Sequence, residues 1–547
     1  MPAVFKRLRD TVYANVQGDR GVFALLLLPL LLYVLGGLLN NLITPYYLST
    51  MADPAYVYLF NSLNLVYFHS PTHIDHPGTT LQVIGALVIA VKWLLSLGFM
   101  GEGHIYNDVL MHPEEYLASV NNVLRMILFA AVYISGLKIY RLSNSLSVAI
   151  LFQLVPLFNA DFIFQYARVN TEILQVSLAM LISAYLYEYL TVKYSDKDPD
   201  VRVVRLGILL GAGVVTKIIF APVVFIVVLI KGLKSKLYFL VSVVVTAFIL
   251  TLPIITEYPQ IALWIKKLLT NHGRYGDSGA GLPDYSTYLV NMNQLMTQAF
   301  VFEVLVVVFL LMSGYLMAKR YADRGYIRYF SVYSLIMIVT MIFVGKNVAE
   351  IKYILPMLVI SACGLALLLR VAGDLLEKKS YTMALVIMLG FAGVIACQSI
   401  VSAFVRGKEI ENTMAKVGVV SKKISYLKGK GCMVAMFYDA PYLVHALDFG
   451  SRWSGQKWEE PLAKLYPDAF LFNIWSAVLR KFGNDRIIPP SVIREGLKKN
   501  ACIILVGSTT VEDNGFPWAS RLIPVLKSGK TGVYKIISAG DRVNDAK

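Results

Sequence analysis

Several stretches of this chain stay apolar for long enough to cross a lipid bilayer, among them Gly21 to Leu39, Leu237 to Pro253, Val301 to Met317 and Tyr353 to Leu369. A hydrocarbon core about 30 Å thick takes roughly 17–25 apolar residues of helix to span. No water reaches that core to satisfy bare backbone, so each run must close its own hydrogen bonds as a helix. The chain is therefore expected to build a polytopic all-α membrane domain. Composition points the same way: 57% of residues are apolar and only 16% charged, where a water-soluble chain carries about a quarter charged.

The net charge of +16 does not indicate a nucleic-acid binder. The basic residues sit in short clusters beside the apolar runs instead of gathering on one water-facing surface. Lys6, Arg7 and Arg9 precede the first run, which is long and has no small-residue cleavage pattern, so it reads as a retained signal anchor. Short cationic loops stay in the cytoplasm. That rule puts inside the segments with Lys138 and Arg141, with Lys193, Lys197, Arg202 and Arg205, with Lys231, Lys234 and Lys236, with Lys319, Arg320, Arg324 and Arg328, and with Lys378 and Lys379. Threading between these anchors gives about eleven spans in a plasma (inner) membrane, amino terminus cytoplasmic and carboxy-terminal tail outside. It requires the stretch from Thr80 to Leu97 to lie along the outer face as an interfacial helix. The alternative, that this stretch spans, inverts every later loop and breaks the charge rule.

Two runs are short. Leu206 to Val215 and Ile218 to Ile230 are separated by Thr216 and Lys217, a polar break within the membrane zone, where irregular backbone is tolerated only against protein or water. Near Arg406 the character changes: residues 1–405 form the membrane domain, and residues 406–547 read as an extracytoplasmic soluble α/β domain of roughly 140 residues. Its strand-like runs are Cys432 to Phe437 and Ala501 to Val506. Cys363 and Cys397 fall in apolar runs as small hydrophobes. Cys432 and Cys502 lie in the tail and can pair if it faces an oxidising compartment, though sequence does not show that they meet. Trp453, Trp458 and Trp475 are either core residues or glycan-stacking surfaces.

The first outer segment concentrates chemistry. Asp53-Pro54-Ala55-Tyr56 follows the first span, and His73, Asp75, His76, Pro77 and Gly78 precede the interfacial helix. A carboxylate there can take a proton from a hydroxyl or hold a divalent cation beside a phosphate. The plain alternative is a polar loop, since Asp-Pro and His-Pro are ordinary turn formers. Arg168, Lys217, Lys346 and Lys352 fall at predicted outer ends, either to neutralise a lipid phosphate or as snorkelling anchors. A long outer loop is expected from Glu257 to Thr297, holding Asn271-His272-Gly273-Arg274-Tyr275-Gly276-Asp277, with His272 and Arg274 as substrate candidates.

Four places, in order, resemble the GT-C superfamily of polyprenyl-phosphate-sugar-dependent glycosyltransferases, which includes protein O-mannosyltransferases and lipid A aminoarabinose transferases. They are Asp53 with Tyr56, Tyr58, His76 and Pro77; Arg125; Ala167-Arg168-Val169-Asn170-Thr171-Glu172; and Gly207 to Pro222 followed by Lys352-Tyr353-Ile354-Leu355-Pro356. The resemblance implies Asp53 as catalytic acid-base and Glu172 as a second acid, with Asp161 an alternative. Tyr56, Asp75, His76, Arg168, Lys217, His272, Arg274, Lys346 and Lys352 would bind substrate. It implies an inverting transfer of sugar from a polyprenyl-phosphate donor to a glycan, lipid or protein acceptor of the cell envelope, with membrane lipid as a partner, and a divalent cation, magnesium or manganese, as an open option. Pro54 stands where that family commonly has a second acid, which leaves the metal and the subfamily open. A lipid donor needs no nucleotide-sugar site, in keeping with the lack of a Gly-rich phosphate loop. Competing classes are a lipid-linked oligosaccharide flippase, disfavoured by missing repeat symmetry; a polysaccharide polymerase or ligase; and a sensor whose tail binds a partner.

Overall fold

The computed structural model describes residues 20–49, 52–75, 78–100, 104–192, 201–321, 323–347, 349–436, 442–473, 478–483, 487–488, 495, 502–508, 521–528 and 531–537. Contacts divide the chain into two compact units. One comprises Met1–Leu39, Ile74–Leu81 and Asn121–Phe404, the other Asn40–His73, Gln82–Val120 and Val405–Lys547. Eight described helices are long and apolar enough to cross a membrane, by length and composition: Arg20–Ile43, Pro113–Ser143, Glu172–Thr191, Leu233–Thr270, Phe300–Ala318, Arg324–Asn347, Leu355–Leu375 and Lys378–Leu427. Thr79–Leu95, Leu146–Leu157 and Ile218–Leu229 are shorter apolar helices.

Within the first unit, position follows sequence character. The Leu355–Leu375 helix is apolar up to Leu369, and 83% of its 18-residue apolar stretch is buried, against 17% of the corresponding stretches of Leu233–Thr270 and Lys378–Leu427. Lipid tails are as apolar as leucine, so close fit and polar pins set the packing. Gly364 lets the Phe309 ring enter the space that a Cβ would take. Tyr329 donates its hydroxyl to the Ile360 carbonyl at 2.9 Å, and Ser183 donates to that of Val359 at 3.4 Å. Gly207 and Gly211 sit against the Leu233–Thr251 helix, where a Cβ on either would lie 2.6 Å from the carbonyl oxygen of Phe239 or Val243.

The polar break is a real interruption. The Val201–Thr216 helix ends, Lys217 is extended (φ −162°, ψ 128°), and Ile218–Leu229 continues as a 3₁₀ helix carrying Pro222. Proline removes one backbone donor and clashes with the preceding turn of an α-helix, and β-branched neighbours add crowding. The stretch from Glu257 to Thr297 differs from the expected long loop. It is mostly helix, Tyr258–Thr270 and Tyr285–Gln298, and only the Gly-rich part between is irregular. Asp284 caps the second helix by accepting the Thr287 N–H at 3.3 Å.

In the second unit, the rise in charge near Arg406 falls inside one continuous helix, Lys378–Gly429. Beyond it come seven described strands: β1 (Met433–Met436), β2 (Phe470–Asn473), β3 (Val478–Arg480), β4 (Ile487–Ile488), β5 (Ile503–Ser508), β6 (Arg521–Ser528) and β7 (Thr531–Ile537). They form one sheet of order β4-β3-β2-β1-β5-β7-β6. β1 runs parallel to β2 and β5, and the other pairs are antiparallel. The helices Leu443–Arg452 and Glu459–Leu465 cross from β1 to β2. Buried Arg480 of β3 ties them down, donating to Glu459 at 3.1 Å and pairing with Asp448, which Arg452 also meets at 3.0 Å.

The early segments of this unit pack on those helices. Gly450 admits the Ala52–Val66 helix so closely that a Cβ would lie 2.9 Å from the Tyr56 carbonyl. Asn61 donates to the Trp453 carbonyl at 3.0 Å and Asn64 to that of Ser454 at 2.9 Å, while the Trp458 indole donates to Asn64 at 2.8 Å. Trp458 is thus a core residue, Trp453 is 45% exposed, and Trp475 lies outside the described residues.

Cys432 and Cys502, just ahead of the paired strands β1 and β5, form a disulfide across a sequence separation of 70. Non-reducing peptide mapping should recover the linked pair. Closing a loop of that length contributes about 4 kcal/mol on the chain-entropy estimate. Cys432→Ala should therefore lower the thermal midpoint of the tail, and reductant should lower the midpoint of the wild type but not of the variant.

Candidate functional site

Glu172 opens its helix in the first unit, where its side chain is nearly inaccessible, and so is that of Lys217. The extended residue at the helix break turns the lysine inward, and its ammonium donates to the Glu172 carboxylate at 2.6 Å. Each charge satisfies the other where water cannot. The Lys217 ammonium also lies 4.7 Å from the Tyr353 ring centroid, and Lys352 lies 5.2 Å from the same ring while pairing with Glu350 at 2.5 Å. Two cations share one aromatic ring, and each has its own carboxylate.

In the same unit is a groove of about 660 Å³ lined by His272, Arg274, Asp284, Asn291, Lys346 and Glu350, among others. The Gly-rich turn that carries His272 and Arg274 is closed by a bridge between Asn271 and Ala280, and the His272 N–H donates to Gly279 at 3.1 Å. Gly273 (φ +81°) and Gly276 (φ +74°) occupy the left-handed region, and a Cβ on Gly276 would meet the Lys267 carbonyl at 2.7 Å. Lys346, in the last turn of Arg324–Asn347, secures the start of the turn with two bonds. Its carbonyl accepts the Gly273 N–H at 3.2 Å, and its ammonium donates to the Leu269 carbonyl at 2.7 Å. Nδ1 of His272 is buried and has no hydrogen-bond partner among the described residues, which leaves it available to a ligand.

Asp53 and Tyr56 belong to the second unit. Asp53 stands at the head of its helix with non-helical torsions (φ −90°, ψ 122°). Tyr56 is fully buried, and its hydroxyl donates to Glu114 at 2.8 Å. His73 is buried with its ring edge-on to Tyr58 and Trp453, at 5.6 and 5.9 Å. Burial lowers its pKa to about 4, against an opposing pull from the Asp53 carboxylate.

The remaining candidates fall in the first unit. Half-buried Asp75 has its carboxyl pushed above the usual range, first by burial and then by the Asp277 charge. Arg168 is half-buried, with its carbonyl accepting from Asn121 at 3.1 Å. Arg125 donates to the Tyr33 carbonyl at 3.0 Å and fills the space opened by Gly36 and Gly37, a helix-packing task. His76 lies outside the described residues.

The structure thus brings together Glu172, Lys217 and Lys352, and separately His272, Arg274 and Lys346. Sequence reasoning missed Tyr353 as the ring between two lysines and Glu114 as the partner of Tyr56. Tyr353 adjoins a predicted site lysine, which was a usable signal, but Glu114 had none. Among the described residues no group of three or more His, Cys, Asp or Glu gathers for a metal ion, and the Asp277 of the Asp75–Asp277 pair is already bound by Lys267. The described carboxylates do not fit a dedicated divalent site.

No family model matches the chain, and no curated protein matches it. Among solved structures it is similar to ArnT from Cupriavidus metallidurans bound to undecaprenyl phosphate, with 12% identity, 89% of this chain and 94% of that one covered, and a TM-score of 0.46. It is also similar to the apo form of ArnT, with 12% identity, coverage of 88% and 93%, and a TM-score of 0.45.

Lys217→Met would leave the buried Glu172 charge unpaired, a loss of about 3–5 kcal/mol. Thermal melting in detergent should show a large drop, and Glu172→Gln combined with Lys217→Met should recover much of it. His73 gives a pH signature. Its folded pKa, about 4, lies below its ordinary 6.5, so between those values the unfolded chain binds the extra proton. The stability it contributes is complete above pH 6.5 and falls as pH drops to 4, by roughly 3 kcal/mol in all. The decline in melting temperature across that window should be shallower in His73→Gln.

Proposed function

We propose that this chain is a multi-pass membrane glycosyltransferase that moves a sugar from a polyprenyl-phosphate donor to a cell-envelope glycan, lipid or protein acceptor on the extracytoplasmic side. The observation that carries this is the groove holding Lys346, Arg274 and the unpartnered His272 nitrogen, at the end of a helix apolar enough to span. Such an end is the depth at which a lipid carrier's phosphate rests. Lys346 spends its hydrogen bond on a neutral carbonyl, so its positive charge remains to attract an anion. Of the groove's two carboxylates, Asp284 is engaged as a helix cap and Glu350 by Lys352.

In the proposed reaction Asp53 accepts the proton of the acceptor hydroxyl as its oxygen attacks the anomeric carbon. The bond from that carbon to the phosphate oxygen breaks, and the polyprenyl phosphate departs as the anion. Cationic side chains hold the departing charge. His272 uses Nδ1 to donate to a phosphate oxygen or to accept from a hydroxyl, according to its tautomer. The configuration inverts in a single displacement. Glu172 keeps Lys217 charged and in place, which makes it a structural acid in the resting enzyme. The Cys432–Cys502 disulfide supports an oxidising, extracytoplasmic side for the tail.

Labelled-sugar transfer from a synthetic polyprenyl-phosphate sugar tests the assignment. Asp53→Asn should lower kcat about 10²–10⁴-fold, the range for a general base. Lys346→Met should raise donor KM about tenfold with a smaller change in kcat. Activity of Asp53→Asn equal to wild type rejects the role given to Asp53. A single cysteine placed at Ser70 should react with impermeant reagent only from outside, and labelling only from the cytoplasmic side would overturn the orientation.

A further inference from the structure

We propose that Glu114 is a positioning residue for Asp53, an assignment that rests on the proposed role of Asp53 as proton acceptor. Glu114 and Glu115 both lie in the first turn of Pro113–Ser143, where an acid is favoured by the helix dipole alone. Glu115 does nothing more specific than meet Lys92 at 3.3 Å on the exposed side. Glu114 turns the other way. One oxygen accepts the Tyr46 N–H at 2.9 Å, and the other accepts the Tyr47 N–H at 3.3 Å and the Tyr56 hydroxyl at 2.8 Å.

These donors flank Asp53 on both sides in sequence. Asp53 itself has extended torsions at the head of its helix, so the regular helical hydrogen-bond ladder does not fix the course of the chain through it. Glu114 supplies that constraint by tying the chain before Asp53 to the chain after it. Both tied ends are otherwise anchored. Asn40 donates to the Tyr46 hydroxyl at 2.7 Å, Ser49 donates to the Tyr46 carbonyl at 3.2 Å, and Tyr56 is fully buried. A carboxylate accepts three donors without presenting one of its own, which a glutamine cannot do.

The test is labelled-sugar transfer by the full-length protein, with rates expressed per folded molecule. Glu114→Ala should lower kcat about a hundredfold with donor KM within about twofold, and Glu114→Gln, keeping one acceptor oxygen, about tenfold. Tyr56→Phe removes one of the three contacts and should lose about threefold. This grading by acceptors retained, at constant KM, is not what a residue needed only for folding would give. Wild-type kcat in Glu114→Ala, with Asp53→Asn inactive, overturns the Glu114 assignment and leaves that of Asp53 standing. Wild-type kcat in Asp53→Asn overturns both. If Glu114→Ala does not fold, unchanged kcat in both Glu114→Gln and Tyr56→Phe overturns the assignment.

Discussion

The buried pair of Lys217 and Glu172 constrains how the first unit can be built. A lysine in an extended break between two apolar helices has only protein to turn to, because bilayer hydrocarbon cannot solvate it. Glu172, at the start of another helix, meets it at 2.6 Å, and this fixes the register of the two elements more tightly than apolar contact would. Leucine packed against leucine can slide by a turn at small cost, whereas a buried ammonium that slides away from its carboxylate leaves two bare charges. Tyr353 then takes its place over the ammonium, which sets the entry to the central Leu355–Leu375 helix.

The second unit solves a different problem. The Ala52–Val66 helix carries asparagines at positions 61 and 64, about one turn apart, and both are buried. Each needs partners, and the tail supplies them through the Trp453 and Ser454 carbonyls and the Trp458 indole. Asn61 uses its oxygen as well, accepting from Thr72 at 2.9 Å and His73 at 3.2 Å. Two amides thereby join the segment bearing Asp53 to the turn bearing His73 and to the tail. The tail is part of the framework that holds Asp53, although its sequence carries none of the recognised motifs.

How far the sequence could be read depended on the range of the interaction concerned. Apolar runs declare themselves by length, and the Thr216-Lys217 break by two polar residues in an apolar context, so both could be read locally. The stretch from Glu257 to Thr297 misled because its Gly-rich middle reads as a loop, while the helical spacing on either side, at Ile261, Trp264, Ile265 and Leu268 and at Tyr288, Leu289, Met292 and Leu295, is interrupted by polar residues. Glu114 was invisible for a sharper reason: it and Glu115 are chemically identical neighbours, and only the fold tells which one turns inward. The bonds of Asn61 and Asn64 to the tail span 392 and 390 positions, and no local pattern encodes them.

Charge accounting separates cations that hold the fold from those able to hold a ligand. Lys217 with Glu172 and Lys352 with Glu350 form two neutral pairs around Tyr353, and a neutral pair offers an incoming phosphate little net attraction. To bind there the phosphate would have to displace a carboxylate, and at Lys217 that means exposing Glu172 to a second anion at close range. Lys346 bonds to a carbonyl dipole instead, so its full charge remains beside the groove. That carbonyl belongs to Leu269, at the base of the turn bearing His272 and Arg274, and an anion drawing the ammonium toward itself would pull on the same turn. Lys346 is thus one side chain that both braces the Gly-rich turn and would meet an anion entering the groove.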